Sequence, residues 1–283
     1  MKNSNSQLKV PEPAEQNPFS WRSEFYAWFA VFLLIMAFSL SMVDRMILTL
    51  LVGPIKTDFG LSDTEISLLH GLAFTLLYVI AGIPLGRLTD RYSRRMIAGF
   101  SVFFWSIATC LCGITNNFTQ LFISRVFVGV GEAGLSPAAT SLISDYFPVS
   151  KLSRPIAYFS IGGSLGAGLA FIFGGAVADM VVEIGNVSIP FIGEIRSWQL
   201  AFFIVGLPGL LFAASFIFVK EPARAGETKS ESEPKSIPIP EVLKLLSDKA
   251  GFLTAHFFAA AMSALVVLSI HAWMPTFLMR SII

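Results

Sequence analysis

The stretch GRLTDRYSRR, Gly86 to Arg95, holds five charged residues (Arg87, Asp90, Arg91, Arg94 and Arg95) in a chain that is only 14% charged. It stands between two long apolar runs. Residues 66–86 carry no formal charge, and neither do residues 96–124. A helix needs about 20 consecutive apolar residues to cross the hydrocarbon of a bilayer. Charge inside that hydrocarbon is costly, so a short charged connection between two such runs marks a turn at the membrane surface. That reading decides the fold class.

The composition agrees. Hydrophobic residues make up 54% of the 283, 27 of them are Phe, and the mean hydropathy is +0.69. Soluble domains carry about 25% charged residues. The chain is therefore read as an all-α integral membrane protein, and the absence of period-2 alternation argues against a β-barrel. A net charge of +1 supplies no basic field for nucleic acid. Seven apolar segments are expected, at about residues 26–54, 66–85, 96–114, 121–146, 155–178, 198–219 and 250–278. Asp44 and Arg45 interrupt the first. Cys110 and Cys112 lie in an apolar run without His, Asp or Glu nearby and read as buried filler, so no metal or disulfide is expected.

Loop composition divides the chain. Residues 1–24 form a polar tail, and the apolar run after them is too long for the core of a signal peptide. Residues 25–219 form a six-helix unit. Residues 220–249 form a polar linker whose first half has the Glu, Lys, Ser and Pro content of a flexible segment. Its second half, PEVLKLLSDK, sets Val242, Leu245 and Leu246 on one face of a short surface helix. Residues 250–283 supply the seventh span. With the N-terminus inside, fifteen of the twenty Lys and Arg fall on the cytoplasmic side, three fall outside, and Arg45 and Arg125 stay within spans. The excess of cations fixes that orientation, and GRLTDRYSRR becomes a cytoplasmic connection.

Gly86, Asp90, Arg91, Arg94 and Arg95 match the pattern G-x-x-x-D-R-x-G-R-R, with Ser93 where the pattern has glycine. That pattern, between spans two and three, resembles the signature of the major facilitator superfamily. In RVFVGVGEAGLSPAA, residues Arg125, Gly129 and Gly131 are similar to the family's fourth-span R-x-x-x-G-x-G. The fifth span, GGSLGAGLAFIFGG, resembles the glycine-rich fifth-helix motif but lacks its usual proline, so antiport is not read from it. The segments VDR (43–45), GVGEA (129–133) and SDYFP (144–148) look most like the spinster-type branch. The resemblance implies twelve spans in two six-helix halves that rock around a midplane substrate site. On that expectation the chain is apparently truncated about one helix into the second half. It is then a fragment, inactive alone, or a partial protein that needs the missing half or a partner chain.

Ionisable residues within spans are functional candidates, because each costs about 2.5–3.5 kcal/mol on insertion scales. Asp44, Arg45, Glu132 and Arg125 are of this kind. Arg125, Gly129, Glu132 and Ser136 share one helix face, and about 10 Å of axis separates Arg125 from Glu132. Asp44 and Arg45 point about 100° apart and need not pair with each other. Asp44 and Glu132 are expected to carry protons, with Arg45 and Arg125 tuning them or gripping an anionic substrate. The alternative is a static salt bridge locking spans one and four. Gly129, Gly131, Gly162, Gly166 and Gly168 are expected at close helix approaches. His70, His256 and His271 read as packing residues. Within the charged connection, Asp90 is expected to close a cytoplasmic clasp by bonding an Arg or a helix N-terminus.

The expected function is secondary transport of a small organic solute, anionic or lipid-like, coupled to protons in the plasma (inner) membrane. The expected partners are the lipid bilayer, the solute and protons, with no cofactor and no nucleic acid. A seven-helix receptor is the competing class, but the seventh span has no lysine for a retinal Schiff base and the N-inside orientation opposes it. An enzyme is not expected, since HExxH, GxSxG and paired catalytic carboxylates are missing.

Overall fold

The computed structural model describes residues 21–189, 193–224 and 239–282. Residues 1–20 of the polar tail and residues 225–238 of the expected linker lie outside the described residues. In chain order the elements are α1 (Trp21–Leu50), α2 (Val52–Phe59), α3 (Asp63–His70), α4 (Leu72–Arg91), α5 (Arg94–Cys112), α6 (Phe118–Glu132) and α7 (Leu135–Tyr146). Then come α8 (Ser153–Ile184), β1 (Val187–Ile189), β2 (Gly193–Ile195), α9 (Ser197–Ala214), α10 (Ile239–Asp248) and α11 (Ala250–Ile282). Seven stretches are long and apolar enough to span a membrane among the described residues.

Two of those spans are broken helices. α3 gives way to α4 at Gly71, whose φ of −93° and ψ of −77° lie at the edge of the right-handed helical region. α6 gives way to α7 at Ala133 and Gly134. The first span also ends earlier than its hydropathy suggests. α1 stops at Leu50, and the apolar residues up to Pro54 open the separate helix α2, where proline is tolerated in the first turn. Gly60 closes α2 in the left-handed conformation, at φ +65°. A capping box then starts α3: the Glu65 carboxylate accepts from the Ser62 N–H at 2.8 Å, and Ser62 Oγ accepts from the Glu65 N–H at 3.3 Å.

The all-helical expectation holds, with one short hairpin added to it. β1 and β2 pair antiparallel, with Val187 opposite Ile195, in the connection between α8 and α9. That connection is too short and too rich in β-branched residues to add a helix, and pairing satisfies its backbone instead.

Helix packing is set by small residues. α6 is wedged between α4 and α5. A Cβ on Gly131 would lie 2.7 Å from the backbone nitrogen of Trp105, so only glycine lets α5 approach this closely. Gly129 does the same against the backbone carbonyl of Phe74 on α4. On α8, Gly162 and Gly166 sit against α1, where a Cβ would come within 3.0 Å of the Ile35 carbonyl and 2.5 Å of the Ser39 carbonyl. Ser39 Oγ also donates to the Gly162 carbonyl at 2.9 Å. Gly206 and Gly209 bring α9 onto Ser106 and Cys110 of α5, a contact the sequence reading did not single out. Gly168 differs: nothing lies within 4 Å of its Cβ position, so the close approach expected there is not made.

This contrast is testable. Gly131→Ala is expected to cost about 1–3 kcal/mol by overpacking. Gly168→Ala is expected to leave thermal unfolding in detergent unchanged. Equal melting temperatures for both variants would refute the packing argument.

α11 stands apart. No residue from Ala250 to Ile270 is buried, and contact with α1 is made near Trp273 and Thr276. Preceding it, α10 presents Leu245 and Leu246 to the surroundings, as its sequence pattern suggests.

Candidate functional site

Four ionisable side chains meet near the middle of the bundle. Asp44 and Arg45 follow each other on α1, and Arg125 and Glu132 lie two turns apart on α6. They form two crossed pairs. Arg125 Nη1 donates to Asp44 Oδ1 at 3.0 Å. Arg45 donates through Nε at 2.8 Å and Nη2 at 2.6 Å, both to Glu132 Oε2. Two helical turns cover about 10 Å, while adjacent Cα atoms are about 3.8 Å apart. The long arginine arms take up the difference. In each pair the cation reaches along the axis to a short acid on the other helix.

Neutral residues complete the set. Thr109 of α5 donates its hydroxyl to Asp44 Oδ2, and Ser41, one turn before Arg45, donates to Glu132 Oε2 at 2.5 Å. Phe74 and Tyr78 of α4 stack at 5.3 Å beneath the Arg45 guanidinium. The two pairs differ in access. Both side chains of Asp44–Arg125 are 2% exposed, whereas Arg45 is 26% exposed and Glu132 only 1%. One oxygen of Glu132, Oε1, is buried with no hydrogen-bond partner among the described residues.

His70 lies beside this set as a satisfied packing residue, with Nδ1 3.0 Å from the Ile66 carbonyl and Nε2 3.2 Å from Thr49 Oγ1. His256 stacks on Phe252. The side chain of His271 lies outside the described residues.

A second polar cluster forms at the basic end of the bundle. Arg94 opens α5 and is buried. Its guanidinium pairs with Asp145 at the end of α7, and its Nε donates to Glu221 Oε1 at 2.7 Å. Glu221 also accepts from the backbone N–H groups of Arg94 and Arg95, each at 3.0 Å, and from Ser93 Oγ at 2.8 Å. It thus caps the N-terminus of α5, where the helix dipole favours an anion. Arg95 Nη1 reaches the Val219 carbonyl at 2.8 Å, and Arg224 Nη2 reaches the carbonyls of Thr89 and Tyr92 at 3.1 Å. Residues 220–224, expected as the start of a flexible linker, are strapped to the bundle by these bonds.

Asp90 does not take the role expected for it. It is exposed, as are Arg87 and Arg91, and it makes no ion pair among the described residues. It ends α4 on the outer side, whereas the arginine that turns inward belongs to the first turn of α5. Gly86 passes Pro137 of α7 at ordinary contact distance. The acids of the clasp are Asp145 and Glu221, and neither is part of the charged stretch.

Glu221 gives this clasp a defined pH range. Burial alone would raise its carboxyl, but the Arg94 guanidinium and the N–H and O–H donors outweigh burial and hold it below its ordinary range. A depressed folded value contributes stability above the ordinary carboxylate range and loses it as pH falls through the folded value. The melting-temperature gap between the parent and Glu221→Gln is therefore expected to stay constant down to about pH 5 and to close only in acid below the ordinary Glu value of about 4.3. A gap that closes near neutrality would refute it.

The sequence profile of the Major Facilitator Superfamily matches residues 28–282. The chain belongs to this superfamily. It is 35% identical over 141 residues to the probable L-galactonate transporter of Escherichia coli K12, covering 50% of this chain and 31% of that one. It is 29% identical to protein spinster homolog 1 of Xenopus tropicalis, covering 86% of this chain and 44% of the relative. Among solved structures it resembles a bacterial homolog of the human lysosomal transporter Spinster, inward-facing and unoccupied. The TM-score is 0.74 and the identity 31%, over 90% of this chain and 56% of that one. The superfamily chain therefore spans from about a third to just over half the length of these relatives.

Within this superfamily member, sequence reasoning found the four charges that lie within spans but missed Ser41, Thr109, Phe74 and Tyr78. Ser41 was recoverable, since it lies one turn from Arg45 on the same face. Thr109 and the two aromatics are ordinary residues of apolar spans, and only packing brings them to the charges.

Proposed function

We propose that the chain supplies the first bundle of a secondary active transporter that moves a small organic solute bearing an anionic group, coupled to protons, by alternating access. The observation that carries this reading is the Arg45–Glu132 pair. It places a partly exposed cation against a sealed carboxylate whose second oxygen has no hydrogen-bond partner among the described residues, within a membrane span. Ion pairs in such a position are expensive, and a carboxylate that exchanges its cation for a proton answers that cost with a function. The Major Facilitator Superfamily profile and the likeness to an L-galactonate transporter and to spinster proteins support transport as the activity. The basic end, with the Arg94 clasp, is assigned to the cytoplasm by the excess of cations. Midplane binding between two bundles follows the general design of such transporters.

The Asp44–Arg125 pair favours a different role. Both partners are sealed and further tied by Thr109, an arrangement suited to a static lock between α1 and α6. We assign the working proton to Glu132 and the scaffold to Asp44.

The test is uptake of labelled galactonate by the whole protein in proteoliposomes under an imposed pH gradient. Accumulation that a protonophore collapses is expected. Uptake that is the same with and without the gradient would overturn proton coupling.

A further inference from the structure

Arg45 stands on two aromatic rings. Its guanidinium carbon lies 4.5 Å from the Phe74 ring centroid and 5.4 Å from that of Tyr78. The rings are four residues apart, on one face of α4, and inclined by only 26° to each other. A guanidinium over ring faces is held by their quadrupoles, most strongly where water is scarce. Arginine can use this support where lysine would hold its hydration instead.

Frame and cation come from different helices. Gly129, one turn before Glu132, leaves no room for a Cβ against the Phe74 carbonyl, so α4 and α6 meet backbone to backbone. The aromatic pair and the Glu132 carboxylate therefore belong to one rigid wall, and α1 brings Arg45 to it. Both Arg45 donors fall on a single oxygen of Glu132. If Glu132 is neutralised, Arg45 keeps only a neutral acceptor in place of an ion pair, and an arginine so loosened on a span swings toward water.

We propose that Phe74 and Tyr78 are positioning residues that hold the Arg45 guanidinium against the wall formed by α4 and α6 while its partner changes from Glu132 to an anionic group, carboxylate or phosphate, on the cargo. The inference rests on the transport reading only for the identity of that second partner. The rings keep the cation placed whether or not cargo is present.

The experiment separates the two. Purified whole protein in detergent is treated with phenylglyoxal, and modification of each arginine is followed by peptide mass spectrometry in the parent, Tyr78→Phe, Tyr78→Leu and Phe74→Leu. Arg45 is expected to react about fivefold faster in both leucine variants and closer to the parental rate in Tyr78→Phe, which keeps the ring face and loses only the hydroxyl beside Arg45. Arg125 should stay protected and Arg196 should react unchanged. An unchanged Arg45 rate in both leucine variants overturns the proposal, as does a rise at Arg125 as well, which signals general loosening. Galactonate uptake gives the second readout: a KM raised about tenfold with kcat nearly kept in the leucine variants. An unchanged KM alongside a faster Arg45 would leave the rings as a rest for the cation and remove the anionic cargo from the reading.

Discussion

On the proposed proton-coupled transport, Glu132→Gln is expected to reduce gradient-driven uptake of the anionic solute to background while leaving counterflow exchange intact. Glutamine keeps the length of the side chain and an oxygen to accept from Ser41 and Arg45, so the wall formed by α4 and α6 is preserved. What it cannot do is bind and release a proton. Gradient-driven accumulation requires that step in every cycle, whereas exchange of labelled for unlabelled solute requires only the rocking of loaded protein. Loss of both activities would make Glu132 a structural residue, and retention of gradient-driven uptake would end its assignment as the proton carrier. Protein level in the membrane must match the parent for either comparison to count.

Arg125→Ala is expected to destabilise the bundle by about 3–5 kcal/mol, because it strands the Asp44 carboxylate without its cation. Thr109 alone would then face that charge in a site where both original partners are 2% exposed. The double variant Asp44→Asn, Arg125→Gln removes both charges and keeps hydrogen-bonding capacity. It is expected to recover most of the loss, since replacing a buried pair costs far less than breaking it. Thermal unfolding in detergent measures both. A small loss in Arg125→Ala would show that the site admits water and that the pair is no lock. Transport by the double variant adds a second result: activity near the parent fits a scaffold, while a stable but inactive double variant would return Asp44 to the list of working residues.

Much of this was legible in the sequence because a membrane leaves few choices. Backbone polar groups must be satisfied within each span, so long apolar runs become helices. Charges that interrupt them stand out against an apolar background. Asp44, Arg45, Arg125 and Glu132 could thus be named individually, and Arg94 fell within a recognisable signature. The breaks within spans two and four were less visible, since the hydropathy runs unbroken through Gly71 and Gly134. The hairpin after α8 was missed because three-residue strands carry almost no periodic signal.

By itself, then, the sequence determined the span count, the fold class and the charges that lie within spans, all consequences of the cost of moving polar groups from water into lipid. Tertiary structure alone decided the partnerships. Asp44 joins Arg125, Arg45 joins Glu132 over Phe74 and Tyr78, and the Arg94 clasp closes on Asp145 and Glu221 while Asp90 stays outside. Pairing depends on how far and in which direction each side chain reaches across a helix contact, and that contact is set by residues such as Gly129, Gly131 and Gly166, which carry no charge at all.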